Sequence, residues 1–440
     1  MYLGAVILLL IYLLNSQIVL NPLLVLFSTL GIYSLLLMNR KYSFRIRIIM
    51  CMIISIPFSW NPIWGGKIGD SQITWFYIWL LFYIVYSLFN KNKIVFFGEN
   101  SKLFGVCGLL LVYSFIPLLM SNSIIEGLKE FLMIGVFLIL IMLSDNSRID
   151  CTETEIKQLI DLYIFVMFLT SFGMFIQYIA YKVFSIELFG FKRMYSFGGG
   201  LQTGCHLLME DASSGTIMLG VGGFLALINR NKKLINYFQL IIIIIGMACS
   251  GRRTGAVMFG LVMILYILLG IKSSRKKAIF LIVGVLLGSV LLYFMSASRS
   301  ISNASQLFYN NGRFQLWYEG IMIYLRKPLF GYGFDNAYLA NQIMPSKMIV
   351  HNTLIRYFDM GGIFLGVGFT IIYWYWLKWL KKTQQTDLYW SIIFTCSAAM
   401  LIPDVLNARF LYPICIISFM AIKNGKNTFV KLEANVQMFD

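Results

Sequence analysis

The amino-acid sequence predicts an all-α polytopic membrane protein with about 12–14 transmembrane helices. Apolar residues make up 59% of the 440 residues and only 12% are charged, whereas soluble proteins carry about 25% charged residues. Apolar stretches such as 103–120 and 278–296 approach the length of about 20 residues that crosses a hydrocarbon core. Because a backbone in lipid must satisfy its own hydrogen bonds, these stretches are expected to be helices.

The predicted spans follow one another without an internal repeat or a soluble domain, so residues 1–440 are expected to form a single integral membrane domain. The first 20 residues lack a basic start and a cleavage site, which favours a first span over a signal peptide. The predicted spans lie near residues 2–20, 22–38, 45–60, 73–89, 103–120, 127–143, 158–180, 211–229, 234–249, 254–271, 278–296, 353–379, 388–405 and 409–423.

Lysines and arginines concentrate in alternate short connections between these spans, for example at 40–47 and 272–277. The positive-inside rule assigns that side to the cytoplasm and places both termini there. The two long connections, 181–210 and 297–350, are then external loops. The net charge of +17 is spread over short clusters, so membrane orientation explains it and no nucleic-acid partner is expected.

The seven cysteines are scattered and include no CxxC pair, so the sequence predicts neither disulfides nor a zinc site. Cys205 beside His206 is the one pair with metal-ligating chemistry, and a metal there is the minor alternative. No metal and no cofactor are expected.

Residues 250–255, with the sequence Ser-Gly-Arg-Arg-Thr-Gly, form a predicted turn at the external end of two spans. A guanidinium group binds phosphate oxygens in a bidentate manner, so Arg252 and Arg253 are candidate phosphate ligands. The alternative is a pair of arginines that marks the membrane surface. The positive-inside trend disfavours arginines on this side, which favours a bound partner.

Residues 312–333 begin with Gly312 and Arg313 and end in a glycine-rich turn after Pro328. Helical spacing predicts an amphipathic helix here, with Arg313 at its exposed start. Such a helix could lie in the headgroup region, or its aromatic side chains could stack on sugar rings. Its apolar face is predicted to contain Phe314, Trp317, Tyr318, Ile321 and Tyr324.

His351 and Asn352 open a predicted helix directly after the second external loop, and His351 is one of only two histidines. Imidazole is well suited to general-base catalysis near neutral pH. The positive end of a helix dipole disfavours imidazolium, which favours a neutral, base-competent ring. The alternative is a structural histidine whose ring is hydrogen-bonded.

The first external loop contains Arg193, three consecutive glycines at 198–200, and then His206 with the carboxylates Glu210 and Asp211. Glycines either bring backbone amides close to a ligand or make a loop flexible. Three further charged residues, Arg356, Asp359 and Asp404, lie in predicted spans, where charges are costly. Arg356 and Asp359 are interpreted as a structural pair on one helix.

Three motifs in this order resemble those of the O-antigen ligase and O-antigen polymerase superfamily of bacterial envelope glycosyltransferases. Residues 250–255 resemble its Ser-x-Arg-Thr-Gly turn, with Arg253 on the arginine. The second external loop, from Gly312-Arg313 through Trp317 to 328–333, resembles its loop signature. His351-Asn352, followed after nine residues by Gly362, resembles its histidine motif. The resemblance covers roughly residues 190–370.

The resemblance implies a helical GT-C-like scaffold in the bacterial cytoplasmic (inner) membrane and a metal-independent, inverting transfer of sugar chains carried on undecaprenyl diphosphate. It assigns general-base catalysis to His351, and stabilisation of the diphosphate to Arg253 and Arg313. Substrate-binding roles follow for Arg193, Arg252, Trp317, Tyr332 and Asn352. The implied partners are lipid-linked glycan donor and acceptor, membrane lipids, a chain-length regulator and a flippase.

Three functions remain open on the sequence. A polymerase joins the growing glycan to another lipid-linked repeat unit, whereas a ligase transfers it to lipid A core. Richness in Ile, Phe, Asn and Lys favours the polymerase. A transporter of the same lipid would place charges at mid-membrane and show repeated halves, whereas here the arginines gather at the predicted outer face.

Overall fold

A computed structural model describes residues 1–65, 73–89, 101–146, 151–189, 192–195, 201–209, 212–229, 233–299 and 312–437. The helices, numbered in chain order, are α1 (Tyr2–Ile18), α2 (Pro22–Met38), α3 (Phe44–Ser55), α4 (Trp75–Phe89), α5 (Ser101–Tyr113), α6 (Phe115–Leu119), α7 (Ile124–Asn146), α8 (Glu153–Phe184), α9 (Ala212–Ile228), α10 (Lys233–Cys249), α11 (Arg253–Leu265), α12 (Ser274–Arg299), α13 (Arg313–Arg326), α14 (Asn336–Tyr338), α15 (Thr353–Lys382), α16 (Thr386–Ala399) and α17 (Leu411–Gln437).

Every predicted span overlaps helix in the structure, so the prediction of an all-α polytopic membrane protein is confirmed. The bounds differ in places: the span predicted over 103–120 is divided into α5 and α6, and α16 ends at Ala399 within the span predicted over 388–405. Within the described residues, four helical segments are long and apolar enough to cross a membrane. They are Lys102–Leu119 (α5 and α6 together), Glu153–Phe184 (α8), Arg253–Gly270 (α11 with the π-helical turn Tyr266–Gly270) and Thr353–Lys382 (α15). Shorter apolar helices in the same part of the chain are Tyr2–Ile18, Pro22–Met38, Trp75–Phe89, Ser213–Ile228, Leu234–Cys249 and Leu411–Gly425.

The connection between α8 and α9 contains a small β-hairpin that the sequence analysis did not predict. Strands β1 (Lys192–Tyr195) and β2 (Leu201–Gly204) pair antiparallel, with Arg193 opposite Thr203. Strand β2 contacts α12. The helical fold therefore carries one short pair of strands within its first long connection.

The chain forms two compact units, and the first comprises residues 1–83, 157–309 and 390–395. In this unit α9 packs against both α10 and α11, and α10 packs against α12. Gly255 allows α11 to approach α9 closely, because a Cβ atom at this position would lie 2.5 Å from the carbonyl carbon of Thr216. The Gly255 amide donates to the Thr216 hydroxyl over 3.3 Å. Small residues at such contacts are the usual basis of helix packing in lipid.

The second unit comprises residues 84–156, 310–389 and 396–440. Helix α15 lies at its centre and packs against α5, α13 and α17, while α7 packs against α5 and α17. Aromatic rings fill the centre: Tyr357 stacks on Phe369 with centroids 4.3 Å apart, and Phe369 in turn stacks with Phe137 at 6.1 Å. Aromatic pairs of this kind add to the stabilisation that burial alone supplies.

Helix α15 is broken at Gly361 and Gly362, although the sequence predicted one continuous span over 353–379. Gly362 has φ 62° and ψ −161°, a conformation that side-chain-bearing residues rarely adopt. A Cβ atom there would also lie 2.1 Å from the carbonyl oxygen of Leu329. Glycine at this position therefore both breaks the helix and admits the loop at 328–333.

The loop at 328–333 satisfies the backbone groups that the break would otherwise expose. The amides of Tyr332 and Gly333 donate to the carbonyls of Asp359 and Met360 over 2.8 and 3.0 Å, and the Ile363 amide donates to Pro328 over 2.8 Å. The Tyr113 hydroxyl donates to the Gly361 carbonyl over 2.8 Å. Backbone irregularity inside a membrane protein is tolerated where protein groups make these bonds.

Candidate functional site

His351 lies immediately before α15 and is half-buried. Its Nδ1 is 2.9 Å from the carbonyl oxygen of Ile349. A carbonyl only accepts hydrogen bonds, so Nδ1 must carry a proton. In the neutral ring the lone pair is then on Nε2, and this is the nitrogen that can take a proton from a substrate.

Asn352 is the N-cap residue of α15. Its side-chain oxygen accepts from the amides of Leu354 and Ile355 over 3.1 and 3.2 Å, and the residue is buried. Capping of this kind satisfies amides that have no partner within the helix. The cap fixes where α15 begins, and therefore where His351 lies relative to the helix.

Trp317 on α13 is hydrogen-bonded to the backbone of His351. Its indole Nε1 donates to the backbone carbonyl of His351 over 3.1 Å, and its ring lies edge-to-face with Phe314 at 5.5 Å. Arg313 is one turn earlier, and residues four apart share one face of a helix. The structure thus places Trp317 against His351, which precedes the cap residue Asn352, and it places Arg313 on the same face of α13 as Trp317.

The apolar face predicted for α13 exists, but its aromatic members Phe314 and Tyr318 do not pack against the protein. These side chains are 64% and 65% exposed. The face that packs on α15 contains Leu316, Glu319 and Ile323, all buried. An exposed aromatic face beside His351 is a surface suited to headgroups or to sugar rings.

Glu319 joins α13 to the segment that leads to His351. Its carboxylate accepts from the Ser346 amide over 3.1 Å and from the Gln315 side chain over 3.0 Å. Burial raises the pKa of Glu319, but the hydrogen bonds donated by Ser346 and Gln315 outweigh it, so the pKa lies below its ordinary value. Glu319 therefore remains ionised and keeps the segment in place at neutral pH.

Tyr332 lies in the loop that closes the break in α15. The Lys327 ammonium lies over its ring, 4.5 Å from the centroid. Burial raises the pKa of the Tyr332 hydroxyl, which therefore stays protonated. One face of the ring thus contacts a cation, and sugar stacking by Tyr332 stays a prediction.

Arg252 and Arg253 belong to the first unit, where they occupy the turn between α10 and α11. Arg252 is the N-cap residue and Arg253 the first residue of α11, and both are half-buried. The Ser250 hydroxyl shapes the turn by accepting from the Arg252 amide over 3.2 Å and donating to the Met247 carbonyl over 2.6 Å. The structure thus places two adjacent arginines at a helix N-terminus, and phosphate binding by them stays a prediction.

The first long connection, 181–210, contains Arg193, Cys205 and His206. Arg193 lies on β1, in the first unit, opposite Thr203. His206 is only 1% exposed, and burial raises the pKa of the neighbouring Cys205 to about 12.

Among the described residues, no group of three or more His, Cys, Asp and Glu side chains is arranged to hold a metal. Metal independence stays a prediction. Glu210 and Asp211, the two carboxylates predicted near His206, lie outside the described residues.

In the second unit Arg356 lies in a buried cluster of charged side chains, and one of its partners, Glu130, was not predicted from the sequence. Arg356 donates to the carboxylate of Glu130 on α7 and lies 3.1 Å from that of Asp404. Its Nε also donates to Asn336 over 2.8 Å. The predicted pair of Arg356 with Asp359 was wrong, because the two carboxylates on Arg356 come from Glu130 and Asp404.

Fold and site together define a polytopic helical membrane protein with a histidine at a helix start, an adjoining arginine-bearing helix and an exposed aromatic face. Residues 238–370 match the family model for O-antigen ligase, and this match confirms the resemblance to the O-antigen ligase and polymerase superfamily over that segment. The match covers less than half of the chain and includes Arg253, Arg313 and His351, but not Arg193. No curated protein matches the chain.

Proposed function

We propose that this protein is a glycosyltransferase that polymerises undecaprenyl-diphosphate-linked repeat units into O-antigen or capsular polysaccharide at the outer face of the cytoplasmic membrane. The observation that carries the proposal is the histidine of the matched segment. The Ile349 carbonyl holds a proton on Nδ1 of His351, which leaves Nε2 as the basic nitrogen.

In the proposed reaction, Nε2 of His351 accepts the proton of an acceptor sugar hydroxyl. The hydroxyl oxygen attacks the anomeric carbon of the donor glycan with inversion. As the new glycosidic bond forms, the bond between that carbon and the lipid diphosphate breaks, and the diphosphate leaves with the electron pair. General-base catalysis of this type contributes about 10²–10⁴-fold to rate.

The departing diphosphate gains negative charge, and fixed cations stabilise such charge in the transition state. We assign this role to Arg313, one turn from Trp317 on α13, and to Arg253 through the family motif that it matches. Arg193 and Arg252 are proposed to bind the substrate in support. Trp317 positions His351 through its indole, and the exposed face of α13 is proposed to contact sugar rings.

The first experiment measures chain extension by purified protein supplied with lipid-linked repeat units. His351→Ala is expected to lower extension at least ~10²-fold, the effect of losing a general base. His351→Gln keeps polar groups but not the base, and it is expected to be as inactive. Full extension by either variant would reject His351 as the base.

A second experiment tests the arginines. Arg313→Gln is expected to weaken use of the diphosphate donor, whereas Arg326→Gln at the other, exposed end of the same helix serves as the matched control. For Arg253→Gln the control is the exposed Arg275→Gln in the same unit. Unchanged donor binding and turnover in both Arg253→Gln and Arg313→Gln would reject the diphosphate assignment.

Ligase activity is the second candidate, because the family model that matches residues 238–370 is described as O-antigen ligase. The two activities differ only in acceptor. Lipid-linked repeat units alone should give a ladder of longer lipid-linked chains if the protein is a polymerase. Product only when lipid A core is added would instead identify a ligase.

A further inference from the structure

The first unit contains a large groove that the proposed transfer reaction does not use. It has a volume of about 910 Å³ and lies among α9, α10, α11 and α12. This volume is at the upper end of the range of about 300–1,000 Å³ for small-molecule sites. The groove is therefore large enough for a ligand with a substantial apolar part.

The walls of the groove are apolar. Leu240 and Met263 are buried behind it, while Ile241 and Ile279 line it and are 42% and 52% exposed. Phe280 adds an aromatic ring. Among the described residues that line the groove, none is Asp or Glu, so these walls do not repel a negatively charged ligand.

One end of the groove is strongly basic. Lys272 and Lys276 line it and are exposed. Within the part of the chain that the structure describes, neither ammonium group has an ion pair or hydrogen bond. The adjacent Lys277 behaves differently, because its ammonium donates to the Leu268 carbonyl over 2.8 Å at the end of the preceding helix.

The start of α12 adds to this positive charge. Helix α12 begins at Ser274, two residues after Lys272, and its first turn contains Lys276. No acidic residue lies in that turn. A helix N-terminus carries a partial positive charge and unsatisfied amides, so basic residues there are unfavourable unless an anion binds. Both the lysines and the helix N-terminus therefore favour an anionic ligand.

A ligand that fits both ends has an anionic phosphate and long apolar chains. A free phosphate would fill only the basic end, and a zwitterionic lipid would bring a second cation to the lysines. Basic pockets between membrane helices on the cytoplasmic side recognise anionic headgroups. The positive charge of residues 272–277 predicts that the basic end of the groove lies on the cytoplasmic side.

We propose that this groove is a binding site for an anionic phospholipid. The phosphate lies between Lys272 and Lys276, and acyl chain packs against Ile241, Ile279 and Phe280. The site does not depend on the proposed transferase activity. Because the lipid binds only the folded chain, it stabilises the packing of α10 against α12.

The test uses the full-length purified protein and short-chain phosphatidylglycerol, with phosphatidylcholine for comparison. Native mass spectrometry measures bound lipid, and thermal unfolding measures Tm. Wild type is expected to retain phosphatidylglycerol selectively and to unfold at higher temperature with it. Lys272→Gln combined with Lys276→Gln is expected to weaken binding about 30-fold, from the usual contribution of two basic residues near a phosphate.

The matched control is Lys378→Gln combined with Lys381→Gln, which removes two exposed lysines on the same predicted side from α15. It should bind phosphatidylglycerol as the wild type does. Ile241→Trp leaves both lysines in place but fills the apolar end, and it should also lose lipid. Selective binding that survives both groove variants would overturn the proposal.

Two further probes separate lipid from other phosphates. Inorganic phosphate should neither raise Tm nor displace phosphatidylglycerol, since it cannot use the apolar walls. If it raises Tm as much as the lipid does, the site binds a free anion and the proposal fails. The proposal also fails if undecaprenyl phosphate binds in the groove more tightly than phosphatidylglycerol.

Discussion

The indole N–H of Trp317 donates a hydrogen bond to the backbone carbonyl of His351 over 3.1 Å. This bond holds α13 against the residues that precede α15, although the two bonded residues are 34 positions apart in the sequence. Together with the Ile349 carbonyl on Nδ1, it holds both the backbone and the ring of His351. The orientation of the proposed base therefore depends on a residue outside its own helix.

Trp317→Phe should lower the rate of glycan transfer because it removes this donor and keeps an aromatic ring. A hydrogen bond of this kind contributes about 1 kcal/mol, which corresponds to about fivefold in kcat. KM for the donor should change little. The measurement is steady-state transfer with purified protein.

A double variant separates positioning from a direct role of Trp317. If Trp317 acts only through His351, then adding Trp317→Phe to His351→Gln should cause no further loss. Arg326→Gln, at the exposed far end of the same helix, is the control for general damage to α13. Additive losses in the double variant would show that Trp317 acts independently of the histidine.

Removing Glu130 should strongly destabilise the second unit. Glu130→Ala leaves the buried Arg356 with only Asp404 as a carboxylate partner, and breaking a buried ion pair costs about 3–5 kcal/mol. Lys129→Ala on the same helix is the control, because it removes a pair with Glu126 whose side chains are 60% and 45% exposed. Exposed pairs contribute about 0–1 kcal/mol. Thermal unfolding in detergent should separate the two variants clearly.

The contact between α13 and the segment before His351 should weaken in acid. The pKa of Glu319 is lower in the folded protein than in the unfolded chain. Its contribution to stability is therefore complete above the unfolded value and is lost as pH falls through the folded one. Protection of the Ser346 amide from hydrogen exchange, corrected for intrinsic rates, should decrease below about pH 4.

The neutral variant Glu319→Gln removes the titrating group and should give protection that is low and independent of pH. Wild type and variant should converge at the acid end of the titration. Equal pH dependence in both proteins would mean that another group controls this segment.

Gly362→Ala should prevent the normal packing of α15. The residue has φ 62°, and a Cβ atom there would lie 2.1 Å from the Leu329 carbonyl oxygen. We expect a loss of stability of about 2 kcal/mol or more, since the strain and the clash add. Gly108→Ala on α5 is the control, because a Cβ atom there meets nothing within 4 Å. Wild-type Tm in Gly362→Ala would contradict the broken-helix geometry.

Apolar segment length was sufficient to predict the helices but not their interruptions. The span predicted over 353–379 is present, yet Gly361 and Gly362 divide it. Nothing in a stretch of apolar residues distinguishes a continuous helix from two halves, because both bury the same side chains. The loop that satisfies the exposed backbone comes from 328–333, and a contact of that kind depends on tertiary structure.

The sequence likewise predicted the residues of the candidate site but not their packing. Periodicity identified an apolar face on α13 and placed Arg313 at its start, but it could not show that Phe314 and Tyr318 face outward. In a membrane protein an outward apolar face and a packed one have similar compositions, because lipid is as apolar as the core. The partner of Arg356 was missed for a related reason, since Glu130 is more than 200 residues away.

The break in α15 has a mechanical consequence. A continuous helix of 30 residues tilts as a rod when the thickness of the surrounding bilayer changes. Here the half beginning at Thr353 is held by the contacts of Arg356. The half after Gly362 is connected to it by a bent backbone, by the loop at 328–333 and by the stack of Tyr357 on Phe369. The two halves of α15 therefore do not have to share one tilt in the bilayer, because the backbone leaves helical geometry at Gly361 and Gly362.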